Sequence, residues 1–219
     1  MDFQFIQKYI PHYIEAGKLT LTLSFYGISL SLLIGLLCSL IIYYKIPILS
    51  KIIGAYIEIS RNTPLLIQLF FLYYGLPKMG ILLSAKACAI IGLSFLGGSY
   101  MAESFRSGLE AVSVSQIESG LSIGLTKLQV IRYVIFPQAF AISIPSLGAN
   151  GIFLLKETSL FSAVALADLM FVAKDLIGLY YKTTESLFML VISYLIILLP
   201  LSLLLTFIER RIRYAGYGH

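Results

Sequence analysis

The sequence predicts an all-α integral membrane protein built on five transmembrane helices. Three observations predict it. Of 219 residues, 58% are hydrophobic and 12% are charged, with a mean hydropathy of +0.90. A soluble domain carries about 25% charge and about 45–50% apolar residues, so a water-coated globule and a disordered chain are both excluded. Charge-free intervals long enough to cross a bilayer recur along the chain, and every arginine falls on one side of the alternation they imply.

The elements follow in order. Lys18 to Lys45 encloses 26 uncharged residues, Arg132 to Lys156 encloses 23 and Glu185 to Glu209 encloses 23. A bilayer core takes about 20 apolar helical residues, so each interval spans it. Arg61 to Lys78 and Lys86 to Glu103 hold 16 each. Both extend if a charged pair joins the helix, Glu58 with Arg61 and Glu103 with Arg106. Each pair is Glu-then-Arg at i,i+3, which sets opposite charges on one helical face. The expected spans are about 19–44, 56–77, 86–106, 133–155 and 186–208, all within one domain, 1–219. An odd number puts the termini on opposite sides. With the N-terminus outside, the inner side receives nine basic residues, including all six arginines, and the outer side receives seven lysines. The positive-inside rule then favours N-out, C-in, with the C-terminal Glu-Arg-Arg-Ile-Arg, through Arg213, as a cytoplasmic anchor. The charge of +5 reads as topology, and no nucleic-acid partner is expected.

Pro64, Pro145 and Pro200 interrupt spans. Each removes a backbone donor and bends or breaks a helix, beside a cavity or simply in kinked packing. Cys38 and Cys88 lie in apolar runs and read as small buried side chains. The only histidines, His12 and His219, stand near the termini, so no metal site is expected. The first apolar run exceeds a signal-peptide h-region and no small-residue cleavage site follows it.

Between the third and fourth spans, about 112–128, the loop carries helix signals. Ser115-Gln116-Ile117-Glu118 and Thr126-Lys127-Leu128-Gln129 both fit a capping box, and Gly124 stands where a helix ends in a left-handed cap. The expected structure is a short helix over about 116–122, a turn at Gly124 and a second helix returning to the membrane. Ile117, Leu121, Leu125 and Leu128 supply its apolar contacts. The loop either packs under the bundle or docks into a groove on a partner.

Four stretches resemble the transmembrane permease subunit of ATP-binding-cassette importers for polar amino acids, the histidine/glutamine/arginine/opine group. Arg61-Asn62-Thr63-Pro64-Leu65-Leu66-Ile67-Gln68-Leu69 resembles R-G-T-P-L-L-V-Q-L, with Asn62 in place of glycine. Tyr100-Met101-Ala102-Glu103-Ser104-Phe105-Arg106-Ser107-Gly108 resembles A-Y-x-A-E-x-x-R-x-G. Glu118-Ser119-Gly120, Gly124 and Val134-Ile135-Phe136-Pro137 keep the spacing of the E-A-A-x3-G-x9-I-x-L-P loop, with Ser119 and Gly120 at the two alanines. Pro137-Gln138-Ala139 and Leu155-Lys156-Glu157-Thr158-Ser159-Leu160 resemble P-Q-A and L-K-[DEN]-T-S-L.

The resemblance implies a type I importer bundle of five transmembrane helices in the bacterial cytoplasmic (inner) membrane. Residues 112–128 are then a cytoplasmic coupling helix seated on a separate ATP-binding subunit, with Glu118, Ser119, Gly120 and Gly124 at the contact. The sequence holds no G-x-x-x-x-G-K-[ST] phosphate loop, and ATP and Mg are expected on that partner; no cofactor is expected on this chain and no catalytic residue. Other implied partners are a second permease copy or paralogue, an extracytoplasmic substrate-binding protein, lipid and a polar amino acid. Candidate substrate residues are Gln68, Asn150, Lys156, Glu157 and Thr158, each also open to a packing or solvated-surface role. Glu58–Arg61 and Glu103–Arg106 are candidate structural or gate pairs. Asp168 either caps a helix or meets the delivery protein. An integral membrane enzyme lacks paired histidines or a nucleophile motif; a stand-alone ion-coupled carrier usually shows internal repeats, which five spans do not divide into.

Overall fold

The computed structural model describes residues 1–216, with side chains through residue 212. His219 and the side chain of Arg213 lie outside the described residues. Helices account for nearly all of the described chain: α1 Phe3–Tyr43, α2 Leu49–Arg61, α3 Leu65–Phe70, α4 Ala85–Glu110, α5 Val114–Ser122, α6 Lys127–Val130, α7 Phe136–Glu157, α8 Leu169–Tyr180 and α9 Thr183–Gly216. A wide i→i+5 turn at Phe71–Gly75 and a 3-10 turn at Leu76–Met79 prolong α3; another wide turn at Ile131–Ile135 joins α6 to α7. Among the described residues four helices are long and apolar enough to cross a membrane: Phe3–Tyr43, Ala85–Glu110, Lys127–Val164 and Thr183–Ile212.

The structure departs from the expected spans at two places. α1 begins at Phe3, not near residue 19, because Asp2 caps it and its first turns pack on α8 and α9. The Asp2 carboxylate accepts from the Phe5 amide at 3.0 Å, its own amide donates to Glu185 at 2.9 Å, and Lys182 Nζ lies 3.0 Å from it. Tyr9, Tyr13 and Ala16 join Leu169, Ala173, Leu176 and Met189 in one buried cluster. Lys18 pairs with Glu15 on the exposed face at 2.7 Å and ends nothing. The expected second span is also discontinuous. α2 stops at Arg61, Asn62–Pro64 is non-helical, and only Leu65–Met79 continues as a shorter apolar helix. Pro64 has no N–H to bond the carbonyl four residues back, which breaks the ladder there.

α1 and α4 run parallel and form the widest contact in the bundle. Small residues every fourth position make this possible. Gly27 faces Leu93, Ser31 faces Gly97, and Gly35 faces Met101 and the Ala102 backbone. Side chains this small let helix axes approach closely where lipid supplies no hydrophobic drive. Ser31 Oγ bonds the Gly27 carbonyl within its own helix at 2.8 Å and thereby hides its polarity. α7 runs antiparallel to α4, with Leu154 beside Gly97 and Ala139 and Ser143 against Gly108.

α1 ends in a tight six-to-one turn. The Lys45 amide bonds Ile42 O and the Ile46 amide bonds Ile41 O, with Lys45 at φ +49 where glycine is usual. Ile48, at φ +66, opens α2.

A methyl group built at Gly35 would lie 2.8 Å from the Ala102 amide nitrogen, and that backbone cannot swing away. Gly35→Leu should cost about 3 kcal/mol and should abolish a monodisperse peak in detergent chromatography. Gly54→Leu, which meets no atom within 4 Å at its Cβ, should elute as the parent does.

Candidate functional site

Three polar regions stand out from the apolar bundle. The first runs along α2, α4 and α7. Glu103 takes a two-point grip from Arg106, with Nη2 at 2.7 Å and Nε at 3.2 Å, and Arg106 reaches on to Glu110 at 3.1 Å. Arg61 comes to Glu103 from across the bundle at 3.7 Å and lies 5.5 Å from the centre of the Tyr100 ring. Glu58 therefore does not pair with Arg61; its carboxylate accepts from Asn62 at 3.2 Å. The i,i+3 geometry holds for Glu103–Arg106 alone, because Arg61 sits in the last turn of α2 and finds a carboxylate on α4. Asn150 donates to Ser104 Oγ at 2.8 Å and to the Tyr100 carbonyl at 3.4 Å, tying α7 to α4. No sequence spacing announced the Arg61–Glu103 link, whereas Glu110 is readable from its i,i+4 relation to Arg106.

Gln68 repairs the break in the second apolar segment. Its Nε2 donates to the Ser60 and Thr63 carbonyls at 3.2 and 3.0 Å, where the Ser60 carbonyl otherwise has only a long 3.4 Å bond from the Thr63 amide. Its Oε1 is buried without a partner. The side chain lines a groove of about 390 Å³ with Thr63, Phe71 and Phe95. A larger groove, about 830 Å³ between α1, α4, α7 and α9, is lined almost wholly by apolar groups and includes none of the residues expected at the substrate.

The second region lies at the end of α7. Lys156 is exposed, Glu157 is half-buried, and neither takes part in an ion pair among the described residues. Thr158 is fully buried and donates to the Leu155 carbonyl at 2.6 Å, so it faces inward rather than the open surface. Nearby Asp168 is also fully buried. It caps α8, accepting from the Phe171 amide at 2.9 Å, while its second oxygen has no partner among the described residues. That burial rules out a direct meeting with a delivery protein. Burial also pushes its carboxyl up to about 7, against the pull of the Phe171 and Met170 amides. The Tyr194 hydroxyl is likewise buried without a hydrogen-bond partner among the described residues.

The third region is the α5–α6 loop. α5 begins at Val114 after Ser113, two residues earlier than the sequence suggests. Ser115 therefore stands inside the first turn, its hydroxyl 3.2 Å from that of Ser113, and the Ser115–Glu118 capping box does not form. Buried Val112 belongs to the cluster with Leu109 and Val130, and the chain turns into the helix directly after it. The Thr126–Gln129 box does form, with contacts of 2.8 and 3.3 Å. Gly124, at φ +87, closes α5 through bonds from its own amide to Leu121 O and from Leu125 to Gly120 O. Gly120 is buried against Val130 and Leu125. Ile117 and Leu125 pack against the core; Leu121, Ile123 and Leu128 project into the open, as does the Glu118 carboxylate. Among the described residues no group of three His, Cys, Asp or Glu side chains could hold a metal ion.

Because Asp168 titrates higher in the folded chain than in the unfolded one, the fold favours its neutral form. Its stabilising contribution is complete at low pH and is lost as pH rises toward and past about 7. Asp168→Asn, which keeps a cap oxygen, should raise the melting temperature above the parent's at pH 8. The difference should narrow as pH falls below about 7 and disappear only below the unfolded value of 3.8, as read in thermal melts.

Residues 27–214 match the family described as binding-protein-dependent transport system inner membrane component. A probable amino-acid permease protein of Bacillus subtilis, YxeN, is 36% identical over 213 residues, covering 96% of this chain and 95% of its own. The glutamine transport system permease protein GlnP of Escherichia coli K12 is 32% identical over 214 residues, covering 97% and 98%. Among solved structures, an amino acid ABC transporter crystallised with histidines superposes with a TM-score of 0.90 at 34% identity, over 96% of this chain and 99% of the other. The MetNI methionine transporter in an inward-facing form shares the fold, with a TM-score of 0.78 at 20% identity over 94% and 98%. Through the family match and the relatives alike, this chain belongs to the binding-protein-dependent transport system inner membrane components.

Proposed function

We propose that the chain is the membrane permease subunit of an ATP-driven amino acid importer, lining the translocation path and drawing motion from a separate ATPase subunit. One observation carries the coupling role: the α5–α6 loop is locked by a six-to-one turn and a capping box, yet it holds Glu118, Leu121, Ile123 and Leu128 out in the open. A loop that only packed under the bundle would turn those side chains inward. A rigid, exposed knob suits transmission of force. The amino-acid transport named for its relatives supports the substrate class.

In this reading the chain is one permease domain, 1–219, and crosses five times, through α1, the broken α2–α3 segment, α4, α6–α7 and α9. The arginine bias supports an outer N-terminus and an inner C-terminus in the cytoplasmic membrane. Two permeases, a second copy or a paralogue, flank the path, and a substrate-binding protein delivers from outside. ATP-driven closure of the partner ATPases pushes on Glu118, Ser119 and Gly124, with Gly120 packed behind them, and tilts the bundle between inward-open and outward-open states. Such a push shifts the equilibrium only by its difference between the two states. The Arg61–Glu103–Arg106 group, with Glu58 beside it, is placed to hold α2 against α4 in one of them. Gln68 and Asn150 act chiefly as interhelical links, and Thr158 is buried at the end of α7. Glu157, half-buried and without an ionic partner, is the carboxylate best suited to a substrate ammonium, and neighbouring Lys156 to its carboxylate.

Charge reversal at the coupling contact tests the first role. With the ATPase subunit co-reconstituted, Glu118→Lys should retain membrane insertion and ATP hydrolysis but lower uptake at least tenfold; unchanged uptake refutes the assignment. Glu157→Gln should raise the half-saturating substrate concentration by about tenfold in proteoliposome uptake, the loss of a charge-assisted hydrogen bond. An unaltered uptake curve returns Glu157 to a solvated-surface role.

A further inference from the structure

The turn between α1 and α2 is not accounted for by transport or coupling. From Tyr43 to Ile57 the sequence contains two lysines and no acidic residue. Lys45 and Lys51 are both exposed, and neither joins an ion pair among the described residues. Around them Ile46, Ile48 and Ile52 are also exposed, Ile48 at 74%. Two residues in this turn, Lys45 and Ile48, hold positive φ angles of +49 and +66, which glycine adopts freely and these side chains rarely do. The turn therefore keeps a bent shape that presents a cation and an apolar side chain together.

Neighbouring contacts fix its depth. Ile53 and Ile42 pack in the same cluster as Ile57 and Cys38, so the first turns of α2 lie beside the last turns of α1, where its apolar run ends. That is the level of the lipid headgroups on the side that carries the α5–α6 loop. Exposed apolar side chains interleaved with two cations, with tyrosines 43 and 44 alongside, form the pattern that seats a segment in an anionic membrane surface.

We propose that Tyr43–Ile52 is an anchor for anionic phospholipid, with Lys45 and Lys51 binding the headgroup phosphate and Ile48 and Ile52 inserted among the upper acyl carbons. The charge complementarity commits the surface to lipid: a protein partner reading it would need acidic groups at the depth of the bilayer edge. The inference requires a membrane and nothing of the transport assignment, so failure of either leaves the other standing.

The full chain, purified from membranes in mild detergent, is melted with increasing dioleoyl phosphatidylglycerol or, separately, dioleoyl phosphatidylcholine. The parent should be stabilised at much lower phosphatidylglycerol than phosphatidylcholine. Lys45→Gln/Lys51→Gln should need about 25-fold more phosphatidylglycerol for the same shift, about fivefold per lysine, with the phosphatidylcholine curve unmoved. Lys8→Gln/Lys18→Gln, at the other end of α1, should behave as the parent. Lys45→Gly, suited to the left-handed turn, removes one charge without risk to folding and should show the single fivefold loss. Retention of the phosphatidylglycerol preference by the double variant, or equal loss in the Lys8/Lys18 control, overturns the proposal. So does a photo-crosslinker at Ile48 that captures protein in place of phospholipid.

Discussion

Close approach of α1 and α4 is the constraint on which the rest of the bundle depends. Burying an apolar side chain against another gains little where lipid is equally apolar, so contact must come from atoms brought near enough for dispersion and weak polar attraction. Gly27, Ser31 and Gly35 provide the flat face on α1, and Gly97 the matching recess on α4. With α4 fixed, Tyr100, Glu103, Ser104 and Arg106 acquire definite positions. Through Gly97 and Gly108 the same helix also sets α7, and with it Asn150. The polar line along α2, α4 and α7 thus depends on the small residues that let α1 and α7 close on α4.

The second requirement is that no backbone group be left bare in hydrocarbon. The break at Asn62–Pro64 would leave carbonyls open, and Gln68 reaches back to two of them. Serine and threonine hydroxyls repeatedly return to carbonyls in their own helices: Ser24 to Thr20, Ser143 to Ala139, Thr206 to Ser202. Much of the polarity visible in the sequence is consumed in this way and is unavailable to a ligand. Glu157 differs because nothing local satisfies it.

The apolar intervals after Lys86, Arg132 and Glu185 were legible as membrane-crossing helices because charge placement reports directly on the solvent. The start of α1 was not. Lys8, His12, Glu15 and Lys18 look like the end of a span, but they occupy one exposed strip while Tyr9, Tyr13 and Ala16 pack inward, and a linear count of charges cannot separate faces. In the α5–α6 loop the cap at Thr126 and the left-handed Gly124 were local features and read correctly. The start of α5 depended on where Val112 found its core contacts, a tertiary fact. Among site residues, Glu103–Arg106 was a local pair, whereas Arg61–Glu103 joins helices whose register no single sequence discloses.

The two wide turns share a setting: each ends two residues before a proline, Gly75 before Pro77 and Ile135 before Pro137. The Leu76 amide bonds Phe71 O and the Phe136 amide bonds Ile131 O, five residues back in both cases. Pro11, Pro145 and Pro200 sit in ordinary α-helix, so proline alone does not open the coil. Each wide turn stores one surplus residue, a reserve of rotational slack. Passing that surplus one place along the rod turns the stretch it crosses by about 100° while both ends keep their pairing. In the rod that climbs from the exposed knob at Leu128 to Glu157, a shove at the base can therefore emerge as a twist, and the side chains offered to the interior can be exchanged without the rod growing longer or coming apart.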